Sequence, residues 1–340
     1  MLHFDCDYME GAHPQVLQRL TDTNMEQTPG YGQDAYTREA CEKIREACGC
    51  PQALVSLLVG GTQTNATVID ALLHTYEGVL AAESGHISQH EAGAVEASGH
   101  KVLTLPQHEG KVSAGDLQDY LNTFYRDEAY PHMVIPGALY ISYPTEYGTL
   151  YSLNELEALS RVCRKNGLLL YLDGARLGYG LAASADVTLR DIARLCDVFY
   201  IGGTKVGALM GEAVVAPCPE LLPHFFTHVK RHGAVLAKGR LLGLQFAELF
   251  TDGLYLKIAK NAVETALKLK QAMVEKGYRL YIDSPTNQQF FYLNQSDIER
   301  LRRYCTFEIW ATVDQQQSIV RFVTSWATRQ EDIDELIRQL

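Results

Sequence analysis

The chain has 340 residues, room for about two domains at roughly 150 residues each. Its 46% hydrophobic and 21% charged residues belong to a folded globular protein and exclude a disordered, collagen-like or coiled-coil chain. A net charge of −11 with no basic run argues against nucleic acid as a partner, and no apolar stretch nears the roughly 20 residues of a membrane span, so no membrane partner is expected.

The opening Met1-Leu2-His3-Phe4-Asp5-Cys6-Asp7 carries acid where an export signal needs base followed by an apolar core. The eight cysteines are scattered. Cys48-Gly49-Cys50 is too tight for the usual zinc pair and nothing completes it. Free thiols of a cytoplasmic protein without a metal site are the expectation. Residues 1–20, with Gly11 and Pro14, read as an arm and a short helix.

Strand-length apolar runs then follow at 53–58, 78–82, 101–105, 139–142, 168–172, 198–201 and 213–216. Several are apolar on both faces, as buried central strands are. Between them lie helix signals. Ser152-Leu153-Asn154-Glu155 has the form of a capping box, with Leu153, Leu156, Leu159 and Val162 behind it as one buried stripe. Thr188 and Asp191 mark another helix start. Alternating strand and helix predict an α/β fold with a mostly parallel seven-stranded sheet, one of whose late strands runs antiparallel. After about residue 245 the pattern changes. A long helix over 254–276 is followed by short strands at 278–282, 289–293 and 318–325, with helices around 296–304 and 328–340. Thr328 and Glu331 suggest a capping box for the last of these. The expected organisation is an arm (1–20), a large domain (21–245) and a small C-terminal α/β domain (246–340).

Open α/β sheets bind ligands beyond the carboxyl ends of their strands. Four strand exits carry chemistry. Gly60-Gly61-Thr62-Gln63-Thr64-Asn65, at the start of a helix, offers free amides and hydroxyls to an anion. His86 follows the 78–82 run with a flat ring. Asp173 ends the apolar 168–172 run, where a carboxylate needs a partner, and Arg176 is close by in sequence. Thr204-Lys205 follows 198–201, placing an amine among small residues, where desolvation lowers its pKa and prepares it for a carbonyl. Each signal is weak alone. Together they are a phosphate cradle, a ring, a carboxylate and an amine, the groups that pyridoxal 5'-phosphate requires.

These segments resemble the threonine aldolase family of pyridoxal-phosphate enzymes, within the aspartate-aminotransferase-like fold. The matching pieces occur in family order: Tyr31-Gly32-Gln33-Asp34, Gly61-Thr62-Gln63-Thr64-Asn65, His86-Ile87 with Glu91-Ala92-Gly93-Ala94, Asp173-Gly174-Ala175-Arg176-Leu177, Thr204-Lys205 and Arg321-Phe322-Val323-Thr324. The chain is most similar to a divergent branch that includes phenylserine aldolases. The resemblance implies that Lys205 joins the cofactor aldehyde as a Schiff base, Asp173 pairs with the pyridine nitrogen and His86 stacks on the ring. Gly61, Thr62 and Thr204 would hold the phosphate, with Lys230 approaching it, often from a neighbouring subunit. Arg176 and Arg321 would bind the substrate carboxylate, with Cys6 and Tyr31 nearby, and His132 would lie near the substrate hydroxyl. The departures fall on the substrate side: Asp5-Cys6-Asp7-Tyr8 replaces Arg-Ser-Asp-Thr, Pro144-Thr145-Glu146-Tyr147 replaces Glu-Asn-Thr-His-Asn, and Lys238 ends a stretch that usually holds an arginine.

The implied activity is cleavage of a β-hydroxy-α-amino acid of threonine, allo-threonine or phenylserine type to glycine and an aldehyde. His132, or a water it positions, would take the hydroxyl proton. Another pyridoxal-phosphate reaction on a small amino acid (β-elimination or racemisation) and a non-catalytic phosphate-binding module are the competing expectations. The family also implies a homo-oligomer with its site at a subunit interface.

Overall fold

The structure is a computed structural model describing residues 1–340. Thirteen strands form three sheets. They are β1 (Leu2–His3), β2 (Leu54–Leu58), β3 (Glu77–Ala82), β4 (Val102–Leu105), β5 (Ile135–Ser142), β6 (Leu169–Asp173), β7 (Val198–Gly202), β8 (Glu212–Ala216), β9 (Arg279–Ile282), β10 (Gln288–Asn294), β11 (Cys305–Thr306), β12 (Glu308–Thr312) and β13 (Gln317–Val323).

The main sheet has seven strands in the order β2-β8-β7-β6-β5-β3-β4. Only β8 runs against the others, pairing antiparallel with both β2 and β7, as expected for one of the late strands. Residues alternate between its two covered faces. Leu80, Leu139, Leu170 and Phe199 enter one apolar cluster, and Val79, Ala138, Tyr171 and Val198 the other. β5 begins four residues before the expected run because Pro136 lies within it. Proline is tolerated there beside a register shift between Gly78 and Val79 on β3.

Helices cover both faces. The Leu153–Asn166 helix starts with the Ser152/Glu155 capping box, and Leu189–Leu195 with the equivalent Thr188/Asp191 box. The last helix departs from expectation. It begins at Gln330, and the Thr328 hydroxyl accepts from the Ser325 amide instead of capping it.

A second sheet, β12-β13-β10-β9, is antiparallel throughout. Its strand β12 was not expected from the sequence. It packs with Leu269 and Met273 of the Leu254–Glu275 helix and with Ile333 and Leu336 of the Gln330–Gln339 helix. The arm does more than lie on the surface. β1 pairs parallel with β11, joining Leu2 to Cys305 and His3 to Thr306. That pairing carries residues 5–8 across the carboxyl edge of the main sheet.

Candidate active site

Five side chains that matter come from neighbouring strand exits. Asp173 is the last residue of β6 and stands opposite Ser142 on β5. Each of three adjacent strands carries a tyrosine two residues before its own end: Tyr140 on β5, Tyr171 on β6 and Tyr200 on β7. The period of two puts these rings on Asp173's face. Tyr140 donates to Asp173 Oδ2 (2.6 Å) and Tyr200 to Oδ1 (2.5 Å). The Asn65 amide also donates to Oδ2 (2.9 Å), and the Ala175 backbone amide to Oδ1 (2.9 Å). Tyr171 in turn fixes Asn65 through its carbonyl oxygen (2.8 Å). Burial alone would raise the Asp173 pKa. The charge of His86 and the donated hydrogen bonds outweigh it and hold the carboxyl below its ordinary value.

Arg176, close to Asp173 in sequence, does not pair with it. Arg176 grips Asp7 of the arm instead, through Nε (2.7 Å) and Nη2 (3.0 Å). Asn287, just before β10, donates to the same carboxylate (2.9 Å). Asp7 therefore ties the arm, the main sheet and the second sheet together. Burial works against its charge, but Arg176 and Lys205 keep its pKa lowered. With Asp7 on its Nε–Nη2 edge, Arg176 is committed before any substrate arrives.

Gly174 is required here. A Cβ at that position would lie 1.9 Å from the Tyr200 carbonyl oxygen, so the turn after β6 closes on β7 only with glycine. The next exit delivers Thr204 and Lys205. Lys205 is half-buried on the cavity wall, its Nζ 5.8 Å from the centre of the Tyr8 ring. Burial and the nearby Arg176 charge lower its pKa, against the pull of Asp7, Asp173 and Glu212. Thr204 donates to Glu212 Oε1 (2.8 Å), and the Gly203 amide donates to Oε2 (3.1 Å). Glu212 reaches this edge because β8 runs antiparallel and starts here. Burial pushes its carboxyl up to about 8, although Thr204 and Lys205 pull the other way.

His86 opens the short His86–Gln89 helix after β3. Its ring Nδ1 meets Glu91 Oε1 (2.7 Å), and its backbone amide donates to Glu146 Oε1 (2.9 Å). Asn65 also donates to Glu91 Oε1 (2.7 Å). Burial pulls the imidazole down, but Glu91 and the field of Asp173 leave its pKa raised.

These residues line one cavity of about 300 Å³, with Gly61, Thr62, Thr204, Lys205, Asp173, Arg176 and His86 all on its wall. At the Gly60-Gly61 turn, the Gly61–Leu72 helix has no side-chain cap, so its first amides remain available. Arg321 arrives from β13. It pairs with Glu308 and donates to Gln288 (2.7 Å), while its Nε is buried without a partner.

Four expected site residues lie elsewhere in the single chain. His132 is exposed at the amino end of β5, whose eight residues separate it from the cavity by about 26 Å at 3.3 Å per residue. A role in its own chain's site is therefore excluded by strand direction. Lys230 stands 4.9 Å over the exposed Tyr31 ring, and neither lines the cavity. Cys6 does not line it either; Tyr8 does. Sequence reasoning missed Glu91, Glu146, Glu212, Asn65 and the tyrosine row. The tyrosines had a signal, a polar-tipped ring inside each of three otherwise apolar runs. The two glutamates on His86 had none, since they converge only through folding.

The family model described as beta-eliminating lyase matches residues 6–296. The low specificity L-threonine aldolase of Pseudomonas aeruginosa is 28% identical, covering 99% of this chain and 96% of its own. A solved structure of Leishmania major threonine aldolase superposes with a TM-score of 0.96 at 40% identity, covering 99% of this chain and 98% of that one. Thermus thermophilus aspartate aminotransferase shares the fold, with a TM-score of 0.70 at 15% identity over 99% of this chain and 95% of that one.

Proposed function

Because this chain belongs to the beta-eliminating lyase family, in its threonine aldolase branch, we propose that it cleaves a β-hydroxy-α-amino acid to glycine and an aldehyde with pyridoxal 5'-phosphate as cofactor. The observation that carries this is the meeting of Lys205 and Asp173 in one cavity, from the exits of adjacent parallel strands β6 and β7.

The residues fit the cofactor part by part. The uncapped helix start at Gly61 and Thr62, with Thr204, offers donors to a phosphate. The Lys205 amine, its pKa lowered, is prepared for an aldehyde carbon. Asp173, held ionised by its donors, suits a protonated ring nitrogen, and His86 supplies a flat face braced by Glu91. Bound there, pyridoxal phosphate supplies an electron sink for the pair left on Cα when the Cα–Cβ bond breaks. Arg321, with its free Nε, is the cation that takes the substrate carboxylate and fixes the orientation of that bond. Arg176, anchored by Asp7, adds a second cation on the cavity wall. Tyr31 and Lys230 lie together on the outer surface, beside the exposed Phe226. They act, in this reading, on the site of a second copy, which makes the enzyme a homo-oligomer of the cytoplasm.

The test is reconstitution with pyridoxal phosphate, borohydride trapping and peptide mass mapping, followed by product analysis with threonine, phenylserine and serine. The label is expected on Lys205, with glycine and aldehyde as products. A keto acid and ammonia from serine alone would replace the aldolase reading with β-elimination. A protein that neither binds nor traps the cofactor would leave a phosphate-binding module.

A further inference from the structure

A second imidazole stands beside the first. His90 ends the short helix that His86 begins, and the two ring centres are 5.7 Å apart with planes at 49°. Only His86 is paired with a carboxylate; His90 makes no such pair. The ring of His90 faces a separate cavity of about 430 Å³, walled by Tyr147, Trp310, Glu308, Glu83 and Ser84. Arg321 lies against two residues of this wall. Its guanidinium lies 5.0 Å from the centre of the Trp310 ring and pairs with Glu308. A substrate carboxylate held by Arg321 would therefore lie beside the cavity that His90 faces.

We propose that His90 is the catalytic base that takes the β-hydroxyl proton in carbon–carbon cleavage. This rests on the function proposed above. The lone pair of a ring nitrogen accepts the proton. The O–H electrons become the second bond of the aldehyde carbonyl, and the Cα–Cβ pair stays on Cα. A proton delivered to Cα then completes glycine, so substrate and products balance with no added reactant. The surroundings keep the ring in its basic form. Burial lowers its pKa, and the charges of His86 and Arg321 lower it further, against the single opposing pull of Glu308. Glu83 and Tyr147 are the other titratable groups on that wall. His86, fixed on Glu91 with a raised pKa, is unsuited to the same task.

The experiment uses holoenzyme and the His90→Gln variant, an exposed position where the fold is not at stake. Three readouts are taken: cleavage of threonine and phenylserine, cofactor absorbance, and exchange of the glycine α-proton into deuterated water. Exchange needs the cofactor and the carboxylate clamp but no hydroxyl base. The expected result is a loss of about 10²–10⁴-fold in cleavage kcat. Absorbance should be unchanged and glycine exchange within about threefold of wild type. The acid limb of the wild-type kcat/KM profile should fall below 6.5 and be absent from the variant. Cleavage at the wild-type rate in His90→Gln would overturn the proposal. So would an equal loss of cleavage and exchange, or a collapse confined to His132→Gln, which would assign the proton to a neighbouring subunit. If wild type itself shows no cofactor-dependent cleavage, the underlying function fails instead.

Discussion

Glu212 offers a test that needs no substrate. It is 3% exposed, its carboxyl sits between Thr204 and the Gly203 amide, and burial moves its pKa from 4.5 to about 8. Below the unfolded value both folded and unfolded chains hold the proton, so the group contributes no pH dependence. Between 4.5 and about 8 the folded chain keeps a proton that the unfolded chain releases, so stability falls as pH rises. Above that window the loss is complete. At 1.36 kcal/mol per tenfold change it amounts to an upper bound of about 5 kcal/mol. Glu212→Gln removes the ionisation and retains the shape. Its altered hydrogen bonding costs about 1 kcal/mol at every pH and leaves the slope untouched. Near pH 4.5 the cofactor-free variant should therefore be about 1 kcal/mol less stable than wild type, and it should gain steadily on wild type up to pH 8. Urea denaturation across that range measures the difference. In a Lys205→Ala background the gap should widen, because Lys205 is one of the groups holding the Glu212 pKa down. A difference that stays flat with pH would refute the assignment of Glu212 as a buried neutral acid.

Three further outcomes follow from the same geometry. Asp7→Ala should destabilise the fold by about 3–5 kcal/mol, because it strands the largely buried Arg176 guanidinium, and chemical denaturation would register the loss. Gly174→Ala forces the contact with the Tyr200 carbonyl and should cost about 1–3 kcal/mol or more, so a wild-type melting temperature would contradict it. Arg321→Lys should lower kcat/KM about 10–150-fold, the value of charged hydrogen bonds, with cofactor absorbance unaffected; steady-state kinetics decide it.

The main sheet was legible because its strands are apolar on both faces and separated by capped helices, a pattern that local sequence carries. Lys205, Asp173, His86 and the Gly61-Thr62 turn were legible because each directly follows one of those strands. β12 was not. Its residues are half-buried and carry Glu308 and Trp310 toward the site, so the run Glu308–Thr312 has no apolar alternation to mark it. Thr328 misled because a Ser/Thr followed by Glu also suits a turn, and the Ser325 amide took its hydroxyl first. His132 misled because resemblance placed it near the substrate, while only strand direction says which edge of the sheet it occupies. The Arg176–Asp7 pair was not legible, since the two residues are 169 positions apart in sequence.

The clasp made by the arm has a consequence for how such a chain is made. Leu2 and His3 are synthesised about three hundred residues before Cys305 and Thr306, the strand they join. Asp7 likewise precedes Asn287 by 280 positions. During translation at roughly 5–20 residues per second the arm waits tens of seconds without its mates. A nascent polypeptide halted before β11 can own a finished central sheet and still lack a closed catalytic pocket, so chaperone occupancy on stalled ribosomes should concentrate at this end of the molecule.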